Sequence, residues 1–110
     1  MTLNEYQELA SRTINQGLTA HEKVLHALHG LVGEVGEIHS LYQKVYQGHT
    51  FSNEHLIKEL GDLEWFVAEL CTANNIKLED VGLTNINKLK SRFPNGFEVE
   101  KSLHRKEGDI

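Results

Sequence analysis

A single proline, Pro94, leaves everything before it free of the ring that interrupts helices. In that stretch the apolar residues Val24, Leu28, Leu31, Val35, Ile38, Tyr42 and Val45 follow one another at steps of three and four. This is the period of one helical face. Thr19 stands where an N-cap belongs, and Glu22, three residues on, completes a capping box. The pattern predicts a long helix from there to about Gln47, and a chain dominated by such a helix folds as an all-α bundle.

Three further helices follow from the same reasoning. Leu3, Tyr6, Leu9, Ala10 and Ile14 predict a first amphipathic segment over 3–16, stopped by Gly17. The stretch 47–55, with Gly48 and a Ser52 or Asn53 cap, reads as the loop of an αα-hairpin. Beyond it Leu56, Ile57, Leu60, Leu63, Phe66, Val67 and Leu70 form the apolar face of a third helix, ending at Asn74-Asn75. A fourth runs over about 78–92, with Gly82 and Thr84 expected to split off its first turn. Phe93-Pro94-Asn95-Gly96 makes a turn, and the polar residues after it predict an irregular tail over 93–110. The expectation is one domain over 1–110, an antiparallel bundle of about four helices completed by oligomerisation. Leu25, Val32 and Trp65, apolar but off a single stripe, are the positions expected to meet another subunit.

Within this frame two turns stand out. Glu34 and Glu37 lie on the second helix, Glu59 and Asp62 on the third, each pair three residues apart. Residues at i and i+3 share a helix face, about 5–6 Å apart at Cβ. The first pair falls on the flank of the apolar stripe, and the hairpin allows the pairs to lie at comparable heights. Four carboxylates so placed suit a hard divalent cation with oxygen ligands. Gly30, Gly33 and Gly36, each costing a helix about 0.8–1 kcal/mol relative to Ala, point to close approach by a ligand or another helix, at least for some of them.

Charge is distributed as unevenly as the motifs. Seven acids and only Lys44 and Lys58 fall between residues 34 and 69, whereas Lys88, Lys90, Arg92, Lys101, Arg105 and Lys106 outnumber Glu98 and Glu100 further on. Carboxylates for metal and cations for phosphate oxygens are what a metal–polyphosphate substrate requires. The net charge of −5 argues against nucleic-acid binding. No apolar run approaches the length of a membrane span, and the first residues lack a secretory pattern. One cysteine, Cys71, allows no internal disulfide, so the expected location is cytoplasmic.

Other motifs carry less. Glu5 and Glu8 repeat the acidic spacing on what reads as a solvent face, so the spacing alone is weak. His26-x-x-His29 has zinc-pair spacing but no second cysteine and no H-E-x-x-H. A carboxylate-bridged di-iron bundle needs Glu-x-x-His, which is absent. Cys71 reads as a buried structural thiol, and Trp65 as either a base-stacking or a packing residue.

Taken together, GEVGE, KELGDLEWFVAEL and NINKLKSRFPNGF resemble the all-α nucleoside triphosphate pyrophosphohydrolases of the MazG-like family, over roughly residues 20 to 105. The resemblance implies Mg²⁺ (or Mn²⁺) held by Glu34, Glu37, Glu59 and Asp62, which are also the catalytic acids. It implies hydrolysis of NTP or dNTP to monophosphate and pyrophosphate by a homodimer or homotetramer. The N-x-x-K-L-x-x-R-F-P-x-G-F pattern gives Asn85, Lys88 and Arg92 a triphosphate-holding role. Trp65 and Arg105 join the expected substrate contacts, and Ser102 and Gly48-His49 also match the family pattern. Glu64 departs from a usually apolar position and reads as a surface substitution. The alternatives are a catalytically inactive helical interaction module and a metal-dependent phosphohydrolase acting on another nucleotide.

Overall fold

The computed structural model describes residues 1–105 and 108–110. Lys106, counted above among the basic residues, lies outside them. Five helices and no β-strand occur among the described residues: α1 (Leu3–Ser11), α2 (Ala20–Tyr46), α3 (Asn53–Ala73), α4 (Leu78–Arg92) and α5 (Val99–Leu103). They group into two compact units, Met1–Leu78 and Glu79–Ile110.

In the first unit α3 packs against both α2 and α1. The Thr19 cap forms as its sequence predicts: its hydroxyl accepts from the Glu22 N–H at 3.1 Å, while Glu22 accepts from the Thr19 N–H at 2.9 Å. α2 ends at Gly48, whose φ of +93° suits only glycine at low cost, and the His49 N–H closes back on the Lys44 carbonyl. Asn75, at φ +56°, terminates α3 in the same way, with the Ile76 N–H on the Cys71 carbonyl. Both stops agree with the sequence.

α1 is shorter than its apolar spacing predicts. It stops at Ser11 because the Thr13 hydroxyl takes the Ala10 carbonyl at 2.8 Å and accepts the Trp65 indole N–H, also at 2.8 Å. Ile14 is buried all the same. Gln7 then ties α1 to the far end of the unit: its amide nitrogen donates to the Ile76 carbonyl and its oxygen accepts the Leu78 N–H.

The α2–α3 contact is set at Gly30. A Cβ there would lie 2.1 Å from the Phe66 ring, so the helices approach where α2 has no side chain. This turns the buried side of α2 toward the line Ala27, Gly30, Leu31, Glu34, Ile38 and Leu41. Glu34 therefore sits within the helix contact, while Leu28, Val35, Tyr42 and Val45 of the expected apolar face are exposed. On α3, Ile57 and Leu60 are likewise exposed, and Ala68, Glu69 and Cys71 are buried in their stead. Gly33 and Gly36 have nothing within 4 Å of an added Cβ, so close packing explains Gly30 alone of the three.

In the second unit α4 runs unbroken through Gly82 and Thr84, contrary to the expected split. One glycine weakens a helix by about 1 kcal/mol, which does not break it. Phe93 to Gly96 turns as predicted, the Gly96 N–H reaching the Phe93 carbonyl at 3.2 Å, and Phe93 and Phe97 stack with centroids 5.2 Å apart. The segment expected to be irregular contains the five-residue α5.

Candidate metal centre

Glu34 is carried by the middle of α2, and Glu59 and Asp62 by the first half of α3. One turn from the Gly30–Phe66 contact, the two helices bring one oxygen of each of these three acids within 4.8 Å of the others. Oxygens bound to Mg²⁺ at about 2.1 Å stand at most about 4.2 Å apart. Neighbouring ligand oxygens of such an octahedral ion stand about 3.0 Å apart, so the three carboxylates share an ion once their side chains close toward one another.

The state of the oxygens points the same way. Oε2 of Glu34 and Oε2 of Glu59 are buried and have no hydrogen-bond partner. A buried, unpaired carboxylate oxygen costs about 1–3 kcal/mol or more, and a cation between the helices would satisfy both. Burial, and after it the neighbouring Glu59, Glu37 and Asp62 carboxyls, pushes Glu34 up to about 7. Hydrogen bonding and charge from Glu59 hold Glu37 above the ordinary carboxyl range. Glu59 is held below it by hydrogen bonding with the neighbouring Glu34 and Glu37 carboxyls and with His55. The donor set is all oxygen and crowded with negative charge, which fits a hard divalent ion.

The fourth expected acid, Glu37, stands outside the group of three. It lines, with Ser40, Leu41, Lys44, His55 and Glu59, an adjoining cleft of about 180 Å³. His55 Nε2 lies 3.1 Å from Glu59 Oε1, fixing the oxygen opposite the unpaired one. Neither Lys44 nor His55 is singled out by sequence motif. The available signal is spacing: Lys44 follows Glu37 by two helical turns, and His55 precedes Glu59 by one. Larger hollows of about 440 Å³, between α1 and the end of α3, and about 380 Å³, between the start of α2 and the end of α3, are lined by none of the four acids.

Trp65 is engaged in packing. Its N–H is taken by Thr13, and its ring meets Phe66 edge-on at 5.1 Å and His26 at 6.2 Å. His26 is half-exposed and pairs with Glu69 through Nδ1 at 2.7 and 3.0 Å. Glu69 is 1% exposed, a buried acid the sequence did not reveal. Cys71 is buried, and burial raises its thiol pKa. Glu64 is exposed as expected, beside Tyr6, whose hydroxyl pKa is raised by burial and by that carboxylate.

In the second unit Arg92, one of the expected phosphate-binding residues, is paired with an acid. Both oxygens of Asp109 hold the Arg92 guanidinium, at 2.8 and 2.7 Å, with only 10% and 16% of the two side chains exposed. The hydrogen bonds from Arg92, with the charges of Arg92, Arg105 and Lys88, keep Asp109 below the usual carboxylate range. Ser91, Arg92, Pro94, Lys101, His104, Arg105 and Asp109 line a hollow of about 110 Å³. Asn85 is exposed on α4.

The family model of the MazG nucleotide pyrophosphohydrolase domain matches residues 21–97. That span contains the four acids, the adjoining cleft and Arg92. No curated protein and no solved structure matches the chain.

Proposed function

Because the chain belongs to the MazG nucleotide pyrophosphohydrolase family, we propose that it hydrolyses nucleoside triphosphates, ribo- or deoxyribo-, to the monophosphate and pyrophosphate. Mg²⁺, or Mn²⁺ in its place, would be held by Glu34, Glu59 and Asp62, with Glu37 alongside. The observation that carries the reading is the pair of buried, unpartnered oxygens on Glu34 and Glu59, facing acids on the opposite helix. Bound there, the ion supplies charge screening for the triphosphate and acidifies an attacking water.

The chain's own groups do the rest. A carboxylate not saturated by metal accepts the water's proton. Glu34, held in the helix contact beside Glu59 and Asp62, is the first candidate. Glu37 is the second candidate, since it stands outside the group of three. The family pattern supports phosphate contacts by Asn85, Lys88 and Arg92, with Arg105 near them in sequence charge. A phosphate that takes the Arg92 fork does so in place of Asp109. Trp65, whose N–H is taken by Thr13, has only its ring to offer a base.

The reading includes self-association as a homodimer or homotetramer. Leu25, Leu28, Val32, Val35, Tyr42 and Tyr46 are exposed along α2 at alternating steps of three and four, interrupted only by His39. Such a row is the seam by which helices pair, and Val32 and Val35 are 75% and 57% exposed. None of the described helices is long and apolar enough to cross a membrane.

Thermal unfolding with and without Mg²⁺ tests the centre. A ligand that binds only the folded state raises the melting temperature, by about 2.7 kcal/mol of stabilisation at a hundredfold excess over Kd. The wild-type protein should show that rise and the Glu34→Gln/Asp62→Asn protein should not. An equal rise in both would remove the metal centre from these acids.

A further inference from the structure

The cleft beside the acids is lined by polar and charged side chains of both α2 and α3. On α2, Glu37, Ser40, Leu41 and Lys44 follow one another by three or four residues, and the seven steps from Glu37 to Lys44 return to within about 20° of the same direction. Lys44 and Glu37 line the same cleft. Across the cleft stand His55 and Glu59 of α3. The Lys44 ammonium makes no hydrogen bond and no ion pair among the described residues, although two carboxylates line the same hollow.

A bare acidic centre repels the triphosphate it must receive. Metal offsets part of that charge, and a free cation beside the centre offsets more. The Arg92 fork is already filled by Asp109, whereas Lys44 stands unpaired next to the acids themselves. At about 180 Å³ the cleft holds roughly six waters of ~30 Å³ each. That is room for a diphosphate group.

The geometry points to this cleft as the subsite for the β- and γ-phosphates, with Lys44 contacting their oxygens and the Ser40 hydroxyl within the same wall. The inference rests on the pyrophosphohydrolase reading for its place in the reaction. There the water oxygen bonds to the α-phosphorus and gives one proton to a carboxylate. The bridging α–β P–O bond breaks, and its electron pair leaves on the β-phosphate oxygen. Pyrophosphate departs carrying that charge, next to the Lys44 ammonium.

Calorimetric titration with inorganic pyrophosphate in Mg²⁺ tests the subsite apart from turnover. Lys44→Ala should weaken pyrophosphate binding about ten- to hundredfold, the range of one charge-assisted hydrogen bond. Lys44→Arg should restore most of it, and the melting shift from Mg²⁺ alone should be unchanged in both. Unaltered pyrophosphate binding by Lys44→Ala, or no binding by the wild-type protein, overturns the subsite. Loss of the Mg²⁺ shift in Lys44→Ala overturns it too, since Lys44 would then act through the acids. A wild-type protein that binds pyrophosphate through Lys44 yet hydrolyses no nucleotide upholds the subsite and refutes the pyrophosphohydrolase reading.

Discussion

Gly30→Ala is the substitution in which packing and helix propensity oppose each other most clearly. Alanine is worth about 0.8–1 kcal/mol over glycine inside a helix. At position 30 its methyl would meet three Phe66 ring carbons at 2.1, 2.3 and 2.4 Å. Carbon atoms rest about 3.5–4.0 Å apart, so ring and methyl must separate by well over an ångström. The ring has little space to yield, with Trp65 and His26 centroids 5.1 and 5.7 Å away. Overpacking of this kind costs about 1–3 kcal/mol, which leaves Gly30→Ala destabilising by roughly 0–2 kcal/mol after the propensity gain. At Gly33 and Gly36 nothing lies within 4 Å, so alanine there should stabilise by the full propensity difference. Denaturant unfolding at fixed protein concentration compares the three directly. Because the same helix approach brings Glu34 to Glu59 and Asp62, Gly30→Ala should also reduce the Mg²⁺ melting shift. A Gly30→Ala protein as stabilised as Gly33→Ala, with full metal response, would refute the close approach and the spacing of the acids derived from it.

Two further outcomes follow from charge and surface. Glu34 holds its proton more tightly in the folded protein than in the unfolded chain, so its contribution to stability falls as pH rises from 4.5 to about 7, and Glu37 is shifted in the same direction. Glu59 is shifted the other way, and its contribution is lost only as pH falls below 4.5. Melting of the metal-free protein across the upper window should therefore decline in the wild type and decline less in Glu34→Gln; equal slopes would contradict the assignment. Sedimentation should give a dimer or tetramer for the wild type and a lighter species for Val32→Lys/Val35→Lys, and a wild-type monomer would refute the α2 seam.

Local chemistry made much of this architecture legible. The capping box at Thr19, the left-handed stops at Gly48 and Asn75 and the turn at Pro94 depend on neighbours a few residues apart. The acid spacing on α2 and α3 is equally local, and three of the four acids meet. What escaped depends on distant residues. Periodicity marks an apolar stripe but not which edge of it another helix covers, and the Gly30–Phe66 contact selected the edge bearing Glu34. Burial of Glu69 needs His26 from another helix, and the early end of α1 needs Trp65. The pairing of Arg92 with Asp109 joins residues seventeen positions apart. Lys44 belongs to no motif and gains meaning only from the acids across the cleft.

The central claim, attack at the α-phosphorus by a metal-dependent site built on Glu34, Glu59 and Asp62, is tested most directly by phosphorus NMR of a dNTP digest in Mg²⁺. The account predicts nucleoside monophosphate and pyrophosphate as the first products, with none formed after chelation or by Glu59→Gln, whose helical circular dichroism should match the wild type. Diphosphate with orthophosphate as first products, or undiminished turnover by Glu59→Gln, would contradict it.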